Sequence, residues 1–190
     1  SGSLGVLESL AVSLAALQAT DRPRATKAPI VVFAGDHGIT AQGVSLYPSD
    51  VTVQMLHNFA AGGAAITVLA RELGVPVSIV DAGTLSETGI AGTTTDKPRS
   101  GTRDFSVEPA ITDAELSHAL RAGRRALEGA TKVGADLVIL GEMGIGNTTP
   151  SAAITAVMTG QPVTEVTGRG TGIDEAGHAR KVAVIEQALD

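Results

Sequence analysis

The sequence predicts an α/β fold built on a parallel sheet with flanking helices. Short apolar runs alternate with longer segments at helical spacing. Three of those runs end alike, in a glycine beside a carboxylate. The chain's 190 residues suit one domain, 1–190, with a sizeable core, and no internal repeat or boundary divides it.

Each element follows in order. Leu4 to Leu17 has Leu7, Leu10, Leu14 and Leu17 on one stripe, as an amphipathic helix would. Ile30 to Ala34 is β-branched and apolar on both sides, which suits a buried parallel strand. Ser49 can cap a helix running to about Glu72, closed by Gly74, with Gly62-Gly63 either breaking it or admitting another backbone. Val77 to Val80 reads as the second strand. Gly83 to Pro109 is long, polar and rich in Gly, Thr and Pro, and loops of that length are usually functional or disordered. Thr112-Asp113-Ala114-Glu115 is a capping box, and Leu116, Leu120 and Leu127 mark the helix it opens. Leu137 to Leu140 is the third strand, and further helices follow Asn147 and Asp174.

Composition limits the chemistry. Aromatic content is only 2%, with no Trp, one Tyr and three Phe, so the core must be Ala, Val, Leu and Ile. With no Cys, disulfides, thiolate metal sites and Cys nucleophiles are excluded. A net charge of −6 without a basic block argues against a nucleic-acid partner. Single phosphates stay possible, because helix N-termini bind anions locally. No apolar run looks long enough to cross a bilayer, and the first residues lack the basic start of a secretory signal. These features read as a soluble, cytoplasmic protein without a membrane partner.

The strand endings are AGDHG, DAG and GEMG. In open parallel sheets, ligands bind beyond the carboxyl ends of the strands. Asp36, His37, Asp81 and Glu142 therefore fall on one rim, where acids suit ribose hydroxyls or ring N–H groups. Short polar residues also turn chains and cap helices, which is the plainer account of each.

Gly141 to Thr148 nearly spells a Walker A loop, but Asn147 stands where the lysine must be. The dinucleotide fingerprint fails too, since its third glycine position is Thr149. A triphosphatase or NAD enzyme is thereby disfavoured. Free amides near Gly144 to Thr148, the hydroxyls of Thr148 and Thr149, and a helix dipole can hold one phosphate monoester. A glycine-rich turn capped by Asn147 is the structural alternative. A second glycine cluster, Thr167 to Gly172, precedes a helix on which Lys181 leans back toward it. That lysine would supply the positive charge the first loop lacks; otherwise it is a surface lysine.

In this order, GSLGVLESLAVSLA, AGDHGIT, GVSLYPSDVTVQM, NFAAGGAAI, VDAG, GTRDFSVEPAIT, GEMGIGNTTPSAA and TGRGTGID resemble the nicotinate-nucleotide–dimethylbenzimidazole phosphoribosyltransferase family. The resemblance covers nearly the whole chain. It implies transfer of phosphoribose from nicotinate mononucleotide to 5,6-dimethylbenzimidazole, giving nicotinate and α-ribazole 5′-phosphate, a cobalamin lower-ligand precursor. It further implies a Rossmann-like sheet, a small helical domain drawn from both chain ends, a homodimer, and neither metal nor cofactor. Residues 4–17 resemble part of that helical domain, most of which has no counterpart here. By the same resemblance, Gly144, Ile145, Gly146, Asn147, Thr148 and Thr149 are the phosphate loop, with Glu142 a pocket carboxylate and Lys181 a phosphate contact. Tyr47, Ser49, Gln54 and Met55 match the benzimidazole pocket, where Met55 equally suits a buried helix face.

The chain departs from the family at Val6, where an arginine is usual. Family members are about twice as long, and their general-base glutamate lies beyond the position of Asp190, so no catalytic residue maps onto this sequence. The expectation is a fragment that binds with little or no turnover. The alternatives are a non-catalytic nucleotide- or base-binding module and a P-loop ATPase.

Overall fold

The computed structural model describes residues 2–190. Four strands, β1 (Ile30–Gly35), β2 (Val77–Gly83), β3 (Thr94–Thr95) and β4 (Ile139–Met143), form one parallel sheet in the order β3-β2-β1-β4. Seven α-helices accompany them among the described residues: α1 (Val6–Leu17), α2 (Asp50–Ala60), α3 (Ala65–Glu72), α4 (Asp113–Lys132), α5 (Thr148–Thr159), α6 (Val163–Val166) and α7 (Glu175–Leu189). The expected α/β architecture is present.

β1 is buried on both faces, which explains its unbroken apolar run. Ile30, Val32 and Ala34 pack with Ile79 of β2 and with Leu56, Phe59, Ala64 and Ala70 from the α2–α3 segment. Val31 and Phe33 face α4 instead, across a 230 Å³ cavity that they line with Ala126 and Leu127. The chain leaves β1 toward β2 on one side and reaches β4 on the other. The strand order therefore reverses at β1, and such a reversal opens a crevice at the carboxyl ends. A second apolar cluster joins α5, α6 and α7 through Ala152, Ala153, Ala156, Val163, Val182 and Ile185.

Several expectations need correcting. The helix expected from Ser49 to Glu72 is two, parted at Gly62, which adopts φ 75°, and at Gly63, where a Cβ would strike the Asn58 side chain. Residues 50–72 are apolar and long enough to span a bilayer by composition, contrary to expectation. They are nevertheless broken at the glycines, and they bury Leu56, Phe59, Ala64 and Ala70 against the sheet. Ser49 and Asn147 stand at N-cap positions, but neither side chain caps its helix, whereas the Thr112–Glu115 capping box forms fully.

The third apolar strand starts and ends later than expected, so Gly141 and Glu142 lie inside β4, opposite Val32 and Phe33. The polar stretch after Gly83 contributes β3, a two-residue edge strand beside Val80 and Asp81. α1 forms, but its leucine stripe packs on nothing described here: Leu7, Leu10 and Leu17 are exposed. At the other sheet edge, β4 has no neighbour beyond it, and Leu140 is 73% exposed.

Candidate functional site

The crevice at the carboxyl ends of β1, β2 and β4 holds a 250 Å³ cavity lined by Asp36, His37, Glu142 and Asn147, and also by Arg99 and Glu115. Asp36 follows β1 directly and is buried, its Oδ2 accepting from the Leu85 amide at 2.8 Å. Burial pushes its carboxyl above the usual range, opposed by the Leu85 amide and the Thr52 hydroxyl. Because the native state holds this proton more tightly than the unfolded chain, its contribution is complete at low pH. It is lost as pH rises through the raised native value. Asp36→Asn carries no such loss. Melting of both proteins across about pH 3 to 7 should therefore show the variant gaining on the parent as pH climbs; a constant gap would contradict it.

His37 is half-buried, and desolvation lowers its basicity. It sits against the glycine loop, since a Cβ on Gly144 would stand 3.1 Å from its Nε2. Glu142 is pushed upward by local burial, although much of the side chain still meets solvent. Asp81 does not join these rim groups in lining the cavity. Its Oδ1 accepts from the Gly83 and Thr84 amides at 3.2 and 2.8 Å, and its Oδ2 meets Lys97 Nζ at 2.9 Å. That carboxylate anchors the chain leaving β2.

Gly38, in the turn after β1, explains the glycine of AGDHG. A Cβ there would lie 2.5 Å from the Arg103 carbonyl carbon and 2.6 Å from the Asp104 nitrogen, both backbone. Gly38→Ala should cost about 1–3 kcal/mol, as overpacking does, and a chemical denaturation curve measures it. A neutral result would mean that the 102–104 segment yields freely.

The loop expected to hold phosphate is a tight turn with a specific set of spoken-for amides. Ile145 donates to the buried Thr52 hydroxyl at 3.1 Å, Asn147 to Gly144 O at 3.0 Å, and Thr149 to Gly146 O at 2.9 Å. The amides of Gly144, Gly146 and Thr148 have no acceptor among the described residues. Gly146 adopts φ 84°, and a Cβ there would press Thr40 Cγ2 at 2.6 Å. Thr149 is fully buried, with its hydroxyl lacking a hydrogen-bond partner.

Lys181 completes the arrangement. It is 0% exposed, and its ammonium donates to Thr148 Oγ1 at 2.7 Å and Gly168 O at 3.1 Å. No carboxylate faces it, and desolvation lowers its basicity. The second glycine loop closes over this pair: a Cβ on Gly170 would lie 2.7 Å from Thr148 Oγ1 and 3.4 Å from Lys181 Nζ. Arg169 takes no part, being tied to Ile173 O and to Glu175. The contrast with Lys97 is instructive. That ammonium donates to Thr84 O and Ser86 O at 2.9 and 2.7 Å and stands 2.9 Å from the Asp81 carboxylate, its counter-charge. Lys181 has two neutral partners and no counter-charge, as an anion-binding lysine would.

The expected base-binding residues lie on the segment beside these loops but line none of the cavities just described. Tyr47 and Gln54 are exposed, Met55 packs partly against the sheet core, and Ser49 Oγ lies 3.1 Å from Thr40 Oγ1. The Tyr47 segment does reach the second glycine loop, through Ser45 to Thr171 at 3.2 Å.

Arg99, Thr102 and Glu115 were missed as cavity residues. The run GTRDF, carried by resemblance, includes only Thr102; Glu115 was read as a helix cap, and nothing in the sequence pointed to Arg99. Glu115 caps α4 and also receives a bidentate pair from Arg103 at 2.8 and 3.2 Å, which holds its carboxyl down to about 2. No cluster of three or more potential metal ligands occurs among the described residues.

Comparisons with known proteins converge. A family model described as phosphoribosyltransferase matches residues 1–190. The nicotinate-nucleotide–dimethylbenzimidazole phosphoribosyltransferase of Bradyrhizobium diazoefficiens is 60% identical over 188 residues, covering 99% of this chain and 54% of its own. Its namesake from a Roseiflexus species is 49% identical over 195 residues. The crystal structure of CobT from Thermus thermophilus superposes with a TM-score of 0.93 at 44% identity, over 99% of this chain and 57% of that one. The chain thus spans about half the length of the curated relatives it matches.

Proposed function

This chain belongs to the phosphoribosyltransferase family, and on that premise we propose that the whole protein moves phosphoribose from nicotinate mononucleotide to 5,6-dimethylbenzimidazole. A benzimidazole nitrogen attacks the anomeric carbon while the bond to the pyridinium nitrogen breaks. That electron pair returns to the departing nicotinate ring, and the benzimidazole N–H proton passes to a base. The products are nicotinate and α-ribazole 5′-phosphate.

The observation that carries this reading is the Lys181 ammonium, with two neutral partners, bound to the Thr148 hydroxyl of a loop whose Gly144, Gly146 and Thr148 amides have no acceptor among the described residues. Together they suit the mononucleotide phosphate, and the dipole of α5 adds to the attraction. Ile145, Asn147 and Thr149 shape the turn. Glu142, together with Asp36 and His37 on the same crevice, faces the organic part of the ligand. By resemblance to the family, Tyr47, Ser49, Gln54 and Met55 are assigned to the wall for the flat base, although they line none of the cavities described above.

The family's general-base glutamate has no counterpart in these residues, and removing such a base costs roughly 10²–10⁴ in rate. The 190-residue chain therefore binds nicotinate mononucleotide without useful turnover. Titration calorimetry with the mononucleotide tests the first half. Incubation of the full-length protein and of this chain with both substrates, followed by mass spectrometry for α-ribazole phosphate, tests the second. Absence of binding would remove the phosphate reading, and robust product from the chain alone would remove the other.

A non-catalytic nucleotide- or base-binding module is the second reading. It is favoured by a site whose assembled groups all serve binding, and it would be supported by a silent full-length protein. A P-loop ATPase has Asn147 against it. The natural setting we propose is a cytoplasmic homodimer folding as an α/β domain and working on small molecules, not on nucleic acid or membranes.

A further inference from the structure

Arg99 lines the crevice cavity with its guanidinium only partly paired. It is the one lysine or arginine among the residues lining that 250 Å³ space, which also presents Asp36, Glu142 and apolar surface from Phe33, Ile111 and Met143. Its Nη1 is shut off from solvent and has no acceptor among the described residues. Glu115 pairs with it only at long range. Both Glu115 oxygens are committed to Arg103 and the Thr112 amide, and Arg99 Nε stands 3.9 Å from the nearer one. A buried donor left unmade is costly, and a guanidinium offers a planar fork matched to carboxylate.

We propose that Arg99 is a specificity-determining residue that takes the carboxylate of the pyridine ring of the mononucleotide. This inference rests on the function proposed above. Asn147 lines the cavity, and the next residue, Thr148, carries the hydroxyl that holds Lys181. A ligand whose phosphate sits on Thr148 and Lys181 thus has its ring end beside the cavity after one ribose. The apolar walls suit a flat ring. Asp36 and Glu142 would repel an acid, so admission of a carboxylate requires the cation that Arg99 supplies. A carboxamide in the same place would leave the guanidinium uncompensated.

The test compares nicotinate mononucleotide, nicotinamide mononucleotide and ribose 5-phosphate on this chain by calorimetry. A charge-assisted bond of ordinary strength implies a preference of about 10-fold or more for the carboxylate over the carboxamide. Arg99→Met should reduce that preference to about 2-fold or less, and Arg99→Lys, which keeps the charge but loses the fork, should retain part of it. Thermal melts verify folding of both variants. Equal affinities of the unmodified chain for the two mononucleotides, or an undiminished preference in folded Arg99→Met, overturn the assignment to Arg99. With ribose 5-phosphate still bound, either outcome leaves the phosphate reading standing. Failure of all three ligands to bind overturns both.

Discussion

Lys181→Met should weaken binding of nicotinate mononucleotide by about 30-fold or more while the ligand-free protein melts no lower than the parent. The first half follows from burial. A charged partner removed from a shielded ionic contact typically costs about 2–5 kcal/mol, at 1.4 kcal/mol for each tenfold in affinity. Lys181 is wholly enclosed, and its ammonium holds the Thr148 hydroxyl at the end of the loop proposed to take the phosphate. The second half follows from what the ligand-free chain lacks. Its ammonium is desolvated with two neutral acceptors and no carboxylate, and replacing such a buried charge by an apolar side chain is often neutral or stabilising.

The pH dependence has a definite sign. Desolvation places the native basicity of Lys181 below its ordinary value, so between the two values the unfolded chain binds more protons. Stability of the ligand-free parent therefore rises with pH through that window, and the methionine variant loses this slope. Calorimetry and alkaline melting curves measure both. A variant that binds normally would remove Lys181 from the site, and one that melts far lower would show the lysine to be a structural strut.

Asp81→Asn should give the largest loss of stability among single changes near the sheet, about 3 kcal/mol or more, because breaking one side of a buried ion pair strands the other charge. Asp81 is 1% exposed, and Lys97 reaches it from the loop between β3 and Arg99. Asparagine still offers an oxygen to the Gly83 and Thr84 amides, so the loss reports on the charge. The effect should spread to the site, since Lys97 pins Thr84 and Ser86 and precedes Arg99 by two residues. Urea denaturation together with mononucleotide affinity checks both parts. A drop well under 1 kcal/mol would show that Lys97 relaxes into solvent.

The sequence made some of this legible for physical reasons. β1 was readable because a strand buried on both faces must be continuously apolar, and β2 because Val77, Ile79 and Val80 keep an apolar run around an exposed Ser78. β4 was misplaced because Gly141 looks like a stop. It is in fact strand, a glycine required by crowding, since a Cβ would lie 3.2 Å from Val32 Cγ2. β3 was invisible, being two threonines with no apolar pattern. Lys181 could be aimed by helix geometry, yet its complete burial depends on Gly168 and Gly170 folding back from another segment. Arg99 comes to the crevice through an irregular segment that no periodicity encodes, whereas Glu115 was legible as a helix cap but not as a cavity residue. α1 shows the converse: its leucine stripe was correctly periodic, but periodicity names a face without naming what covers it.

The bare margin of β4 has a practical meaning at the bench. Its backbone donors and acceptors on that side, with Leu140 beside them, form a template onto which any extended peptide can zip. Such an edge is the part of the described chain most ready to pair with another extended segment.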